Sequence, residues 1–300
     1  MTQRLIGAIE AGGTKFVVAV ADTGGHVRER ARIATAHPDE TLLQVRSFFE
    51  QGAAAHGPLA AIGIASFGPV EVNPASPRYG TFFATPKPGW SGVSLCDALS
   101  GFGVPLAVDT DVNGAAIGEW LAGSGRGCGT LAYTTVGTGI GTGIVRGGQP
   151  LGGFSHYECG HILPRRDMAR DPFAGSCPFH GDCLEGLASG SAIQARWGRT
   201  LDRMADNPEG TGLIAMYLAQ LAATLVLTHM PDRLVFGGGV MKAPGLLSAL
   251  RQETERLIGG YIRDERLAPG LESFVVAPGL GDDSGITGAI ELGRRILAIA

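Results

Sequence analysis

Two stretches of the chain constrain its fold more than anything else in it. "RLIGAIEAGGTKFVVAVAD", residues 4–22, is an apolar run, a Gly-rich turn and a second apolar run. "GTLAYTTVGTGIGTGIVRGG", residues 129–148, repeats that pattern. Each reads as a hairpin, at 5–20 and at 130–145, whose turn is built from Gly and Thr. Further apolar strands follow near 61–66 and 104–109, with a late one in "LESFVVAPGL". Helices are expected from Asp111–Asn113 onward, over 212–230, and over the last residues, 285–300. Strands alternating with helices indicate an α/β protein. No Pro-rich or charged linker separates two halves. The expected division is a smaller lobe, 1–115, rejoined by the helix 285–300, and a larger lobe, 116–284.

Composition removes several classes of function. The chain has 300 residues, 44% hydrophobic and 17% charged, with a net charge of −4. It can bury a substantial core, and it lacks the basic excess that a general nucleic-acid or membrane-surface binder needs. No basic N-terminal region precedes a short apolar run, so a cytoplasmic location is expected. The apolar stretch 212–230 contains Gln220 and His229 and runs into "PDRLVFGGG". It therefore reads as a buried helix and not as a membrane span. The five cysteines, at 96, 128, 159, 177 and 183, are scattered and odd in number, as reduced thiols would be.

The Gly-Thr turns suggest chemistry. Gly12, Gly13, Thr14 and Lys15 offer consecutive backbone amides, a hydroxyl and a positive charge, which together suit an anion. An ordinary Gly-Gly hairpin turn would look the same. A second such turn, with Thr138, Gly139 and Gly141, suggests a clamp on a polyphosphate. Neither matches the P-loop spacing, and neither joins a strand to a helix as a dinucleotide fingerprint does. "Asp109-Thr110-Asp111-Val112-Asn113" places carboxylates at a strand end, although Asp111 could serve there merely as a helix N-cap. Cys177-x-x-His180-x-x-Cys183 supplies three metal-type ligands in a turn-rich segment. A Cys177–Cys183 disulfide is the alternative, and it leaves His180 without a role. "RLVFGGGV", 233–240, reads adequately as a strand followed by a turn.

In order along the chain, "GAIEAGGTKFVVAV", "TDVNGAAIGE", "VGTGIGTGIV", "ECGH", "CPFHGDCLEG" and "LVFGGGV" resemble the motifs of the ROK family of sugar kinases and repressors. The resemblance runs from residue 6 to the C-terminal helix. It implies the two-lobed actin-like ATPase (ribonuclease H-like) fold, with a central cleft and a zinc-binding loop. It also implies ATP with Mg²⁺ and transfer of the γ-phosphoryl to a sugar hydroxyl. Residue by residue, it implies Asp111 as general base and Asn113, Glu158, His161 and Glu185 as sugar ligands. Gly12, Gly13, Thr14, Lys15, Thr138, Gly139 and Gly141 would face the nucleotide phosphates, and Gly237, Gly238 and Gly239 its adenosine. His161 would complete a structural Zn²⁺ site with Cys177, His180 and Cys183, and that knuckle would hold His161 and Glu185 at the sugar.

The Cys-x-x-His-x-x-Cys form followed by "LEGLASG" resembles the fructokinase branch, which implies conversion of D-fructose to fructose 6-phosphate. Mannose and glucose are the alternative sugars, and a non-catalytic sugar-binding regulator is the alternative class. Tyr157 and Cys159 depart from the Pro and Met usual in that branch, and Thr110 stands where glucokinases often carry Asn. Repressors of the family carry a helix-turn-helix ahead of the first Gly turn, and only five residues precede the first strand's core here. The resemblance thus points to a cytoplasmic, homodimeric enzyme with neither nucleic acid nor membrane as partner.

Overall fold

The computed structural model describes residues 4–204 and 208–299. They form two compact units, each built on one five-stranded sheet. The first unit takes the described residues up to Leu121, then Pro150–His156, then the chain from Asp282 onward. The second takes the described residues of Ala122–Gln149 and Tyr157–Gly281. A division at 115/116 would cut through a helix spanning Asp111–Ala122. A helix is one continuous hydrogen-bonded element, so the boundary lies at its end. The return of 150–156 to the first unit is a second departure from the sequence reading.

In the first unit, β1 (Leu5–Ala11), β2 (Lys15–Asp22), β3 (Val27–Ala34), β4 (Leu59–Ser66) and β5 (Leu106–Thr110) lie in the order β3-β2-β1-β4-β5. β1 pairs antiparallel with β2 and parallel with β4. The helices of this unit are α1 (Pro38–His56), α2 (Leu95–Leu99), α3 (Asp111–Ala122) and α8 (Ser284–Ile299). The central strands are buried nearly throughout, as strands covered on both faces must be.

The two faces of this sheet differ in side-chain size, and alternation along each strand sorts them. Leu5, Ile9, Phe16, Val18, Val20, Ile62 and Ile64 cluster with Leu42, Val45 and Phe49 of α1. Ala8, Ala19, Ala21 and Ala65 cluster with Ile286, Ala289 and Ile290 of α8. Val17 joins them, and small residues prevail on that second side because α8 approaches its neighbours almost backbone to backbone at two glycines. A Cβ on Gly63 of β4 would overlap the carbonyl of Ala289, and one on Gly288 would overlap the backbone of Gly114 in α3. At the end of the large-residue face, Phe16, Phe67 and Phe82 surround the fully buried Trp90, whose indole N–H donates to Ala36 O at 3.0 Å.

The second unit repeats the plan. Its strands are β6 (Thr130–Val136), β7 (Ile140–Arg146), β8 (Gln149–Pro150), β9 (Arg233–Gly237) and β10 (Val275–Val276), in the order β10-β9-β6-β7-β8. As in the first sheet, the central strand β6 is antiparallel to the strand after it and parallel to one beyond a helix. Its helices are α4 (Leu184–Ala188), α5 (Gly190–Trp197), α6 (Pro208–His229) and α7 (Leu246–Ile258), and α6 packs against α7. α6 is long and apolar enough to cross a membrane, but 67% of its most apolar window is buried inside the protein. Its hydrophobicity is that of a core helix.

A Gly to Ala change inside a helix normally adds up to about 1 kcal/mol of stability. Gly288→Ala is expected to do the opposite, lowering stability by roughly 1–3 kcal/mol through overpacking against Gly114. Chemical denaturation of the variant checks the sign.

Candidate functional site

In each unit, the central strand ends in a turn with a pair of uncommitted amides. In the first unit, Gly12 N–H donates to Lys15 O at 2.9 Å, closing the β1–β2 turn. Thr35 braces it, its hydroxyl donating to Gly12 O at 2.7 Å and its N–H to Thr14 O at 3.0 Å. Gly13 and Thr14 N–H find no acceptor among the described residues, and Gly13, Thr14 and Lys15 are exposed. A side chain at Gly13 would enter open space, whereas one at Gly12 would press on Lys15 O at 2.8 Å. Gly12 therefore shapes the turn and Gly13 opens it. In the second unit, Gly137 N–H donates to Gly139 O at 2.9 Å, and Thr138 and Gly139 N–H are left without acceptors among the described residues. Two adjacent amides of this kind form a concavity suited to an anion. Gly141 lies outside the turn, in the β7 ladder opposite Thr135.

Glu10, next to the first turn, is a residue that the sequence reading passed over. One carboxylate oxygen, Oε2, is buried and has no hydrogen-bond partner. Burial raises its pKa, opposed by the charges of Lys15 and Arg30. An acid at the end of an otherwise apolar strand was the available signal. Such an orphaned carboxylate oxygen is suited to a hard cation.

Where β5 runs into α3, the cap is Thr110 and not Asp111. Thr110 Oγ1 accepts from Asn113 N–H at 3.2 Å, as an N-cap hydroxyl does. Asp111 is the first residue of the helix, and its Oδ1 accepts from Val112 N–H at 2.9 Å. Asp109 holds the buried Asn113: its Oδ1 accepts from Asn113 Nδ2 at 2.6 Å and from Thr110 N–H at 2.7 Å. Burial pushes the Asp109 carboxyl up, against those hydrogen bonds and the charges of His156 and Arg295.

The glycines after β9 are of two kinds. Gly238 has φ +92°, and a Cβ there would collide with the backbone of Val136. At Gly237 a Cβ would meet Tyr133 Oη at 2.6 Å and Pro278 at 2.8 Å. Packing of the β9 end on β6 accounts for both. Gly239 alone of the three is exposed with open space around it.

Glu158 is exposed, just before a single helical turn, Cys159–His161. Gly160 in that turn sits directly on the carbonyl of Ile140, where no Cβ would fit. Tyr157 packs its ring 5.8 Å from that of His229. Glu185 on α4 points its carboxylate at the second Gly-Thr turn, Oε2 accepting from Ile140 N–H at 2.8 Å.

His161, Cys177, His180 and Cys183 come together, their ligand atoms all within 4.8 Å of one another. His161 Nδ1 lies 3.4 Å from Cys183 Sγ and 3.8 Å from Cys177 Sγ, and Cys177 Sγ lies 3.7 Å from His180 Nδ1. Tetrahedral bonds of about 2.0–2.3 Å put neighbouring ligands roughly 3.3–3.8 Å apart, so the donor set fits zinc in type and spacing. All five cysteines are unbridged, and the disulfide alternative is not formed. Burial raises the Cys183 thiol to about 11, so a bound cation is what would hold its sulfur as thiolate. The knuckle itself closes through Cys177 N–H to Gly181 O, 3.1 Å, and Gly181 N–H to Cys177 O, 2.9 Å. Arg166 braces it by pairing with Asp182 at 2.8 Å and donating to Asp171 O and Phe173 O.

A family model described as the ROK family matches residues 6–296. The chain belongs to the ROK family. It is 40% identical over 294 residues to a fructokinase of Zymomonas mobilis, covering 97% of this chain and 96% of that protein. A fructokinase of Pediococcus pentosaceus is likewise 40% identical over 295 residues, with 98% and 99% covered. Among solved structures, a ROK family glucokinase from Streptomyces griseus, in complex with glucose and AMPPNP, matches with a TM-score of 0.76 at 25% identity, covering 97% and 99% of the two chains. The two mixed sheets with their helices are thus the actin-like ATPase fold of ROK kinases.

Capping by Thr110 has a measurable consequence. Thr110→Val should cost about 1 kcal/mol in a denaturant titration, the usual worth of an N-cap hydroxyl.

Proposed function

We propose that this chain is an ATP-dependent hexose kinase that converts D-fructose to fructose 6-phosphate. The observation that carries the reading is the 40% identity to fructokinases over nearly the whole chain, against 25% for the glucokinase of known structure.

Phosphoryl transfer to a hydroxyl demands positioning, neutralisation of charge and a proton acceptor. Asp111 is the acceptor. It takes the proton of the attacking hydroxyl as that oxygen bonds to the γ-phosphorus and the bond to the bridging oxygen breaks, releasing ADP. Thr110, and not Asp111, supplies the cap hydroxyl of α3. Asn113, oriented by Asp109, binds a sugar hydroxyl, and Glu158, His161 and Glu185 are the other sugar ligands. The amide pairs Gly13–Thr14 and Thr138–Gly139 receive phosphate oxygens, with Gly12 and Lys15 shaping and charging the first turn. Gly239 is the open position on the adenosine side; Gly237 and Gly238 serve it by packing.

Mg²⁺ bound with ATP neutralises charge on the phosphoryl oxygens, and Glu10, with its orphaned oxygen, is the residue to hold it. The Cys177–His180–Cys183–His161 set would hold Zn²⁺ as a structural ion, since four protein ligands would leave no open coordination position. The same reading makes the protein a cytoplasmic homodimer with neither nucleic acid nor membrane as partner.

Two measurements test this. In a coupled ADP-release assay over fructose, mannose and glucose, fructose should give the highest kcat/KM, and Asp111→Asn should lower kcat by on the order of a hundredfold or more while sugar still binds. Turnover within a few-fold of the parent would remove Asp111 from the base position. Elemental analysis of purified protein should find about one zinc per chain, lost in Cys177→Ser.

A further inference from the structure

We propose that Glu185 is a positioning residue for the second phosphate turn: its carboxylate, carried on the helix that follows Cys183, sets the Gly139–Ile140 peptide and with it the amide pair that receives the nucleotide. This rests on the kinase reading above and adds to Glu185 a role besides sugar contact.

The peptide unit between Gly139 and Ile140 is held at both ends. Its N–H donates to Glu185 Oε2 at 2.8 Å, and its carbonyl accepts from Gly137 N–H at 2.9 Å. A peptide plane fixed in this way is held in one orientation, and it limits the rotations open to the Thr138 and Gly139 N–H groups just before it. The carboxylate also occupies the place of a side chain at Gly139, where a Cβ would sit 2.5 Å from Oε2.

The helix that carries Glu185 is itself anchored. Cys183 is the N-cap residue of α4, and Leu184 N–H donates to Ile162 O at 2.9 Å, next to His161. After α4, Gly190 N–H donates to Gly137 O at 2.7 Å and Ser191 Oγ to Thr138 O at 2.9 Å. The segment from the knuckle to α5 therefore grips the turn at residues 137, 138 and 140. Sugar binding explains none of these contacts, because all of them join protein to protein around the phosphate turn.

The test is titration of a fluorescent ATP analogue without sugar, alongside amide hydrogen exchange of the peptide covering 137–143, for the parent, Glu185→Ala, Glu185→Gln and Gly139→Ala. Glu185→Ala should weaken analogue binding about tenfold or more, and Glu185→Gln, whose amide oxygen still accepts from Ile140, should stay within about threefold. Exchange across the turn should accelerate in Glu185→Ala and remain slow in Glu185→Gln. Gly139→Ala, which displaces the carboxylate from the other side, should reproduce the alanine variant, and combining the two should add nothing. Parent-like analogue binding and exchange in Glu185→Ala, or equal loss in the Ala and Gln variants, overturns the proposal. If the parent protein binds no nucleotide, the kinase reading fails, and the exchange comparison still decides whether Glu185 holds the turn.

Discussion

Burial of the central strand of each sheet governs the rest of the architecture. β1 and β6 are covered nearly along their whole length. A strand in that position is largely apolar, and a polar group inside it needs a partner, as Thr134 finds in Thr142 at 2.9 Å; groups free to meet a ligand gather where the strand ends. Both strands end in Gly-Thr turns that satisfy their own closing hydrogen bond and leave two neighbouring amides over. The orphaned oxygen of Glu10 and the Asp109–Asn113 pair sit at strand ends of the first sheet for the same reason.

A second constraint is the absence of Cβ at a few backbone contacts. Gly288 lets α8 lie on α3, and Gly160 lets the Glu158–His161 segment rest on Ile140. In the first case the sheet face toward α8 is rich in alanine, with Val17 the larger member of the cluster on that face. In the second, the β7 start, the turn bearing His161 and helix α4 become one block, tied by Leu184 to Ile162 and by Glu185 to Ile140. A four-ligand ion in that block would bear on the Gly137–Gly139 turn as much as on His161 and Glu185.

Much of this was legible in the chain itself. The hairpins announced themselves by apolar runs around Gly-Thr turns, and the knuckle by the spacing of Cys177, His180 and Cys183. Other elements carried little signal. β3, "VRERARIA", is an edge strand in which Arg28, Arg30 and Arg32 alternate with Val27, Glu29, Ala31 and Ile33; the acid within the second set weakens its apolar pattern. The two units divide at Leu121/Ala122, at the end of α3 and just before the Gly123-Ser124-Gly125 turn, a few residues beyond the expected 115/116.

By itself the sequence determined the α/β class, the paired Gly-Thr turns, the carboxylates after β5 and the residue types of the Cys/His cluster. These depend on local periodicity, turn chemistry and residue spacing, which a linear chain displays. Tertiary structure decided the rest. It made Thr110 the cap, left Glu10 with an unmet oxygen, committed Gly237 and Gly238 to packing and turned Glu185 toward Ile140. Each of these turns on which atoms distant in sequence meet in space, and a side chain's hydrogen-bond partner is selected by that meeting and not by its neighbours along the chain.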